Sequence, residues 1–135
     1  MSPYLISRSK RLPECPKHRT PLLLKNGRFG PFYSCEKLRE CDVCASKSEQ
    51  DGFYYVTTQP IRSARILAHN AFDVIWKGGY MPRKEAYRWL RGEMNLTKDQ
   101  CHIQHMNEAG CETVIRLSSI KVASLRQTAA EGVAV

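Results

Sequence analysis

Apolar residues in the middle of the chain recur at steps of three and four positions. Between residues 61 and 77 they form one stripe, which is typical of a helix with a single buried face. The stripe comprises Ile61, Ala64, Leu67, Ala68, Ala71, Phe72 and Ile75. Pro60 stands where this helix would begin, and Gly78 and Gly79 would end it. The pattern therefore predicts a helix over residues 61–77.

Two further helical patterns follow. The segment "RKEAYRWLRGEM" after Pro82 places apolar residues on one face and cations on another. The apolar face comprises Ala86, Tyr87, Leu90 and Met94, and the cationic face comprises Lys84, Arg88 and Arg91. Thr97 is a candidate N-cap for a short helical turn. The segment "NEAGCETVIRL" predicts a last helix that buries Val114, Ile115 and Leu117.

The first third of the chain has a different pattern, without helical periodicity. Residues 21–34, "PLLLKNGRFGPFYS", carry leucines and aromatic residues on both sides of Asn26-Gly27, a strong signal for a β-hairpin. The polar run "ASKSEQDG" predicts turns, and "FYYVTTQ" after it predicts a short strand. The fold class is therefore predicted to be α+β, a small β-ribbon followed by three to four helices.

These elements divide the chain into five parts. The predicted ribbon is residues 13–48, and the predicted helical region, packed on the ribbon, is residues 61–117. The other parts are an N-terminal extension (1–12), a connecting strand or linker (49–60) and a helix extension or flexible tail (118–135).

Cysteine and histidine side chains at both ends of the hairpin are candidate metal ligands. The N-terminus lacks the apolar region and cleavage site of a signal peptide, so we expect a cytoplasmic location, where structural disulfides are disfavoured. Cys15 and His18 have a spacing that lets both reach one tetrahedral ion, and Cys35 would pair with either Cys41 or Cys44. Thiolate and imidazole ligands suit Zn²⁺, and four of them leave no open position. We expect one structural zinc ion.

A second group of such residues lies farther along, but we expect no second zinc site there. It comprises Cys101, His102, His105 and Cys111. Adjacent residues of a helical turn point apart, and free cysteines are often small buried apolar residues. The chain also lacks a phosphate-binding Gly-rich loop, a carboxylate cluster for Mg²⁺ and a Gly-x-Ser-x-Gly motif. We therefore expect no catalytic residues and no enzymatic activity.

Charge indicates the kind of partner. The 21 Lys and Arg against 13 Asp and Glu give a formal net charge of +8, which favours a polyanion such as nucleic acid. A mean hydropathy of -0.45 and interrupted apolar runs indicate no membrane partner, and we expect no small-molecule substrate. Cations beside aromatic rings at the hairpin tip suit unpaired bases. The candidate nucleic-acid-binding residues are Lys25, Arg28, Phe29, Phe32, Lys84, Arg88 and Arg91.

The ribbon resembles the zinc-ribbon repeats at the C-terminus of bacterial type IA topoisomerases. Those repeats have Cys-Pro-x-Cys, an apolar stretch, a Gly-Arg-x-Gly-x-Phe-like hairpin, and then two more cysteines separated by a short loop. The hairpin signature matches at Gly27, Arg28, Phe29, Gly30 and Phe32. The resemblance implies zinc ligation by Cys15, His18, Cys35 and Cys41, with His18 in place of a cysteine, and binding of single-stranded DNA.

A longer stretch resembles a family of small zinc-finger-containing domains of bacteria, phages and plasmids, whose function is not established. The matching residues are Ala68, His69, Phe72, Asp73, Trp76, Met81, Arg83, Glu85, Ala86, Tyr87, Trp89, Leu90, Cys101, His102 and Ile103. The chain departs from the family at His18 and after Cys41, where Cys44 and "ASKSEQDG" replace a Gly- and His-containing stretch. Occurrence on mobile elements suggests an alternative function, an accessory protein that modulates a host nucleic-acid enzyme or defence complex through protein contacts.

Overall fold

The computed structural model describes residues 2–28, 30–37, 39–49 and 51–132, and it has the predicted α+β fold. The chain forms two compact units. The first, here called the ribbon unit, comprises the described residues between 6 and 62, and the second, the helical unit, comprises residues 2–5 and 63–132. Each unit has its own cluster of buried side chains.

The ribbon unit contains one antiparallel sheet with the strand order β1-β5-β4-β3-β2. Its strands are β1 (Arg8–Ser9), β2 (Leu22–Gly27), β3 (Gly30–Cys35), β4 (Cys44–Lys47) and β5 (Tyr54–Thr57). The buried cluster of this unit is small and rich in sulfur, and it comprises Cys15, Leu22, Cys35, Cys41, Val43 and Ala45. Because so few apolar side chains are buried here, the unit needs a further source of stability, and a metal ion is the common one.

The predicted hairpin is present as β2 and β3, but its turn is not at Asn26-Gly27. Asn26 pairs with Pro31 and Gly27 with Gly30, so both residues of the Asn-Gly signal lie in β2 rather than in the turn. The predicted position was wrong because two other requirements place the glycines. Gly30 has a φ of 115°, which disfavours other residues, and a Cβ on Gly27 would lie 2.8 Å from the ring of Phe32. Gly27 thus lets that ring cover the end of β2.

Strand β4 falls partly in the polar run that predicted only turns. All four residues of β4 pair with β5, Cys44 and Ala45 pair with β3 as well, and Ala45 is buried. Hydrogen bonds to both neighbours outweigh the low strand propensity of this short sequence. The predicted turns follow it, where the Gly52 N–H donates to the Ser48 carbonyl oxygen at 2.8 Å.

No element was predicted within residues 1–12, yet parts of this segment are anchored. Strand β1 pairs with β5 in the ribbon unit. In the helical unit, Leu5 forms an isolated bridge with Met106, and the Asn107 backbone N–H donates to the Tyr4 carbonyl oxygen at 2.9 Å. Such short pairings give no periodic pattern in the sequence.

The predicted helices are confirmed with small changes at their ends. The helices are α1 (Gln59–Lys77), α2 (Arg83–Met94) and α3 (Glu108–Gly132), with a 3₁₀ turn at Ile103–His105. Thr97 starts a short turn, in which its Oγ1 accepts the Gln100 N–H at 3.2 Å. The largest fully buried side chains of the helical unit are Phe72, Ile75, Leu90, Ile103, Met106 and Val114. None of the helices in the described part of the chain is long and apolar enough to cross a membrane.

Candidate metal centre

Four side chains of the ribbon unit converge on one point, and they are Cys15, His18, Cys35 and Cys41. Their ligand atoms all lie within 4.8 Å of one another. Cys15 Sγ is 3.6 Å from Cys41 Sγ and 3.8 Å from His18 Nδ1. His18 Nδ1 is 3.5 Å from Cys35 Sγ. The cysteines are buried and His18 is half-buried, so this group of donors is shielded from water.

The spacing of these donors fits a tetrahedral zinc ion. Zn–S bonds of about 2.3 Å and Zn–N bonds of about 2.0 Å place sulfurs roughly 3.8 Å apart and a sulfur and a nitrogen roughly 3.5 Å apart. The three distances above lie close to these values. Three thiolates and one imidazole are a regular structural zinc set with no open position. The donor set and these distances confirm the prediction of one zinc site at Cys15, His18, Cys35 and Cys41.

A tight turn presents the first two ligands. The Arg19 N–H donates to the Cys15 carbonyl oxygen at 2.7 Å, and the Cys15 N–H donates to the Thr20 carbonyl oxygen at 2.8 Å. Arg19 closes the turn with a φ of 54°. The Thr20 hydroxyl, 3.5 Å from Cys35 Sγ, also lowers the pKa of Cys35 to about 7. A lower pKa favours the thiolate, which is the form that binds metal.

The end of β3 and the loop after it present the other two ligands. Cys35 is the last residue of β3, and its N–H donates to the Val43 carbonyl oxygen at 3.3 Å. The loop between them returns Cys41 to the cluster, where burial raises the pKa of its thiol. Cys44 lies in β4, paired with Ser34 and Thr57, and is not among the converging donors. Of the two candidates for the fourth ligand, the fold therefore assembles Cys41.

Asp42 links both ligand pairs to the start of α1. Its Oδ1 accepts a hydrogen bond from Lys17 Nζ at 2.6 Å, and its Oδ2 accepts the Gln59 N–H at 2.8 Å. The Lys17 ammonium and then the Gln59 N–H lower the pKa of Asp42 to about 2. A carboxylate next to Cys41 thus satisfies an N–H at the first turn of a helix that has no acidic residue of its own there.

The predicted nucleic-acid-binding residues lie on two surfaces, one in each unit. On the hairpin, Lys25 and Arg28 are exposed and Phe32 is half-buried, while Phe29 lies outside the described residues. On α2, Lys84 and Arg88 are exposed and Arg91 is half-buried. Lys84 and Arg91 line a pocket with Arg83, Tyr87, Lys98, Cys101 and His102, and Arg88 is not part of this lining.

Of the residues considered for a second zinc site, Cys101, His105 and Cys111 are buried and His102 is half-buried. Cys101 and Cys111 belong to the buried cluster of the helical unit. Burial raises the pKa of both thiols, that of Cys101 to about 11. The rings of His102 and His105 lie edge to face with centroids 5.7 Å apart. The cysteines thus have the character of protonated apolar side chains rather than of metal ligands.

Comparison with family models adds an independent finding. The model described as a zinc-finger-containing domain matches residues 20–121, more than half of the 135-residue chain. The chain belongs to the zinc-finger-containing domain family. The matched residues of the zinc-finger-containing domain include Cys35 and Cys41, whereas Cys15 and His18 precede them. No curated protein and no solved structure matches the chain.

Proposed function

We propose that the protein is a non-catalytic nucleic-acid-binding protein in which zinc supports a hairpin that binds single-stranded DNA with little sequence preference. The distribution of charge supports this function. Residues 6–62 contain 11 Lys and Arg and 6 Asp and Glu, so they carry +5 of the net +8. Two of the six carboxylates are already paired, Asp51 with Arg8 and Asp42 with Lys17. The ribbon unit therefore carries a net positive charge, which favours binding to phosphates.

The observation that carries the proposal is the pairing of Lys25 with Phe32 on an exposed hairpin. Residues that pair directly across two strands lie on the same face of the sheet, so the cation and the ring point to the same side. Both faces of β2 are open beyond Leu22, as the exposures of 42% at Leu23 and 60% at Leu24 indicate. An aromatic ring can stack an unpaired base while the neighbouring cation contacts the backbone.

The zinc cluster supports a binding function rather than a catalytic one. Four protein ligands complete a tetrahedral ion and leave no position for water or substrate. The contribution of the metal is to fix the base of the hairpin, because Cys35 ends β3 and Cys15 lies in the turn before β2. A hairpin fixed at its base loses less conformational freedom on binding a strand.

A salt titration with a labelled single-stranded oligonucleotide tests this function. We expect fluorescence anisotropy to give an association constant whose logarithm falls linearly with the logarithm of salt concentration. Lys25→Ala should reduce that slope by about 0.7, the value for one phosphate contact on a single strand. Phe32→Leu should keep the slope and weaken binding by roughly 1 to 3 kcal/mol, the range for one stacked base.

Arg116→Ala is the matched control, because it removes one positive charge from an exposed position of α3, in the other unit. It should leave the salt slope within error. Zinc content and melting temperature must be unchanged in all three variants. Absence of binding at low salt, or an equal loss in Lys25→Ala and Arg116→Ala, would refute the hairpin as the binding surface.

An exposed apolar group on α1 favours a second candidate, an accessory protein that binds a host nucleic-acid enzyme or defence complex. Ile66 is 63% exposed, Leu67 59% and Val74 36%, and large exposed apolar side chains on one helix often mark protein contacts. If this is the function, Leu67→Asp should abolish binding to that enzyme at high salt while Lys25→Ala leaves it unchanged. Surface plasmon resonance with the purified enzyme measures the binding of both variants. Loss of binding in Lys25→Ala but not in Leu67→Asp would contradict this second candidate function.

A further inference from the structure

A pocket of about 470 Å³ opens in the helical unit, between α2 and the segment that follows it. Its lining comprises Arg83, Lys84, Tyr87, Arg91, Lys98, Cys101 and His102. The volume lies within the range of roughly 300–1,000 Å³ that is typical of small-molecule sites. Four of these seven side chains are cations at neutral pH and none is a carboxylate.

None of the four cations forms an ion pair among the residues that the structure describes. Within the described part of the chain, the ion pairs are Arg8–Asp51, Lys17–Asp42 and Lys77–Asp73, and none of them involves the pocket. Cations that share one concave site repel one another, and the site lowers this repulsion by taking up an anion. The charge of the pocket therefore favours an anionic ligand.

Arg83 is held in place by two aromatic rings. Its guanidinium carbon lies 4.8 Å from the ring centroid of Tyr87 and 5.4 Å from that of Trp76. Its Nη2 also lies 3.5 Å from the Tyr87 hydroxyl, to which it donates. Stacking restricts a long side chain before any ligand arrives, so less entropy is lost when the guanidinium binds two oxygens of one phosphate.

The start of α2, which carries Arg83 and Lys84 of the lining, has N–H donors without a helical acceptor. The N-cap Pro82 makes no side-chain capping bond, and the first intrahelical bond is that of the Ala86 N–H to the Pro82 carbonyl oxygen. The N–H groups at the first helical positions, Arg83 and Lys84 among them, have no helical acceptor. They point in the direction of the positive end of the helix dipole, which also favours an anion.

The rest of the lining comprises the aromatic rings of Tyr87 and His102 and the thiol of Cys101. The half-buried Tyr87 ring packs on Phe72 with centroids 4.7 Å apart, so its position is fixed. Cys101 is only 4% exposed, and its protonated thiol offers an apolar wall rather than a nucleophile. A ligand that matches both parts of the pocket has a phosphate group and a flat ring.

We propose that this pocket binds a nucleoside phosphate, with the phosphate held by Arg83, Arg91 and Lys98 and the base against Tyr87. A free nucleotide and the terminal nucleotide of a strand present the same chemistry. The site lies in the helical unit and shares no residue with the hairpin of the ribbon unit. It therefore does not depend on the proposed hairpin function.

Isothermal titration of the zinc-loaded full chain with adenosine 5′-monophosphate tests the proposal. We expect saturable binding of one molecule per chain, tighter than that of adenosine or inorganic phosphate alone. Arg91→Gln and, at an exposed position, Lys98→Gln should each weaken binding by about tenfold or more, as expected for a lost charge-assisted hydrogen bond. Arg88→Gln is the matched control, because Arg88 is on the same helix outside the lining, and it should change the affinity less than about twofold.

Two results would overturn the site. One is the absence of saturable binding at millimolar adenosine 5′-monophosphate, and the other is an equal loss of affinity in Arg91→Gln and Arg88→Gln.

A displacement experiment distinguishes the two sources of the ligand, a free nucleotide and the terminal nucleotide of a strand. Oligonucleotides are added to the protein loaded with labelled adenosine 5′-monophosphate. If a 5′-phosphorylated strand displaces it better than the same strand with a 5′-hydroxyl, the ligand is a strand end, and if neither strand displaces it, the ligand is a free nucleotide. Lys25→Ala should leave nucleotide binding unchanged, so failure of the hairpin and failure of the pocket are distinguishable.

Discussion

Cys35→Ser is expected to abolish zinc binding and to unfold the ribbon unit. Cys35 is fully buried, ends β3 and lies 3.5 Å from His18 Nδ1, and among the described residues the converging group contains no fifth donor that could replace it. A structural zinc site contributes an apparent free energy of about 10–16 kcal/mol at neutral pH. This is as large as the whole stability of an ordinary domain, about 5–15 kcal/mol. The small buried cluster of this unit cannot offset such a loss.

Cys44→Ser is the matched control, since Cys44 is outside the converging donors. Zinc content measured by plasma mass spectrometry should be one ion per chain in the wild type and in Cys44→Ser, and none in Cys35→Ser. Exhaustive chelation of the wild type should reproduce the melting curve of Cys35→Ser. Full zinc content with unchanged melting in Cys35→Ser would contradict the site, and loss of zinc in Cys44→Ser would make Cys44 a ligand.

The helical unit should keep most of its secondary structure when zinc is lost. Its buried cluster is formed by residues of α1, α2, α3 and the segment between α2 and α3, and it includes none of the four zinc ligands. Far-ultraviolet circular dichroism of Cys35→Ser should therefore retain the helical signal. Retention of that signal would also exclude global misfolding as the cause of any loss in DNA binding.

The elements that the sequence predicts correctly are those with long periodic patterns. Helix α1 repeats its apolar spacing over about four turns, and in the structure Ala68, Phe72 and Ile75 from this stripe are buried. Strand β4 could not be found in this way, because a four-residue strand with polar neighbours has no period to detect. Its formation depends on β3 and β5 lying on either side, which is information about distant parts of the chain.

The same limit applies to the zinc ligands and to the pocket: local spacing predicts some of their residues, and the others depend on the fold. Spacing alone predicts that Cys35 has a partner six or nine residues later, but the choice between Cys41 and Cys44 depends on the pairing that places Cys44 in β4 opposite Ser34. In the pocket, Arg91 was predicted as part of a cationic face, whereas Lys98 comes from beyond the end of α2. The left-handed C-cap at Asn95, with a φ of 54°, ends α2 before Lys98, so the helical pattern of α2 does not place Lys98 in the lining.

Phe72→Ala is expected to lower the free energy of unfolding of the helical unit by about 3–5 kcal/mol, the usual cost of truncating a buried phenylalanine to alanine. Phe72 is fully buried in α1, and its ring packs on that of Tyr87 in α2. Urea unfolding followed by helical circular dichroism measures the change. Ile66→Ala, in the same helix but 63% exposed, should change the stability by less than about 0.5 kcal/mol.

Phe72→Ala also tests whether the core of the helical unit supports the pocket. Zinc content should remain one ion per chain, because Phe72 is not in the ribbon unit. Removing its ring leaves Tyr87 without the neighbour that fixes its position, so Phe72→Ala should also weaken binding of adenosine 5′-monophosphate at temperatures where the variant is folded. Equal losses of stability in Phe72→Ala and Ile66→Ala would contradict the placement of Phe72 in the core. Unchanged nucleotide affinity in folded Phe72→Ala would remove Tyr87 from the proposed base contact.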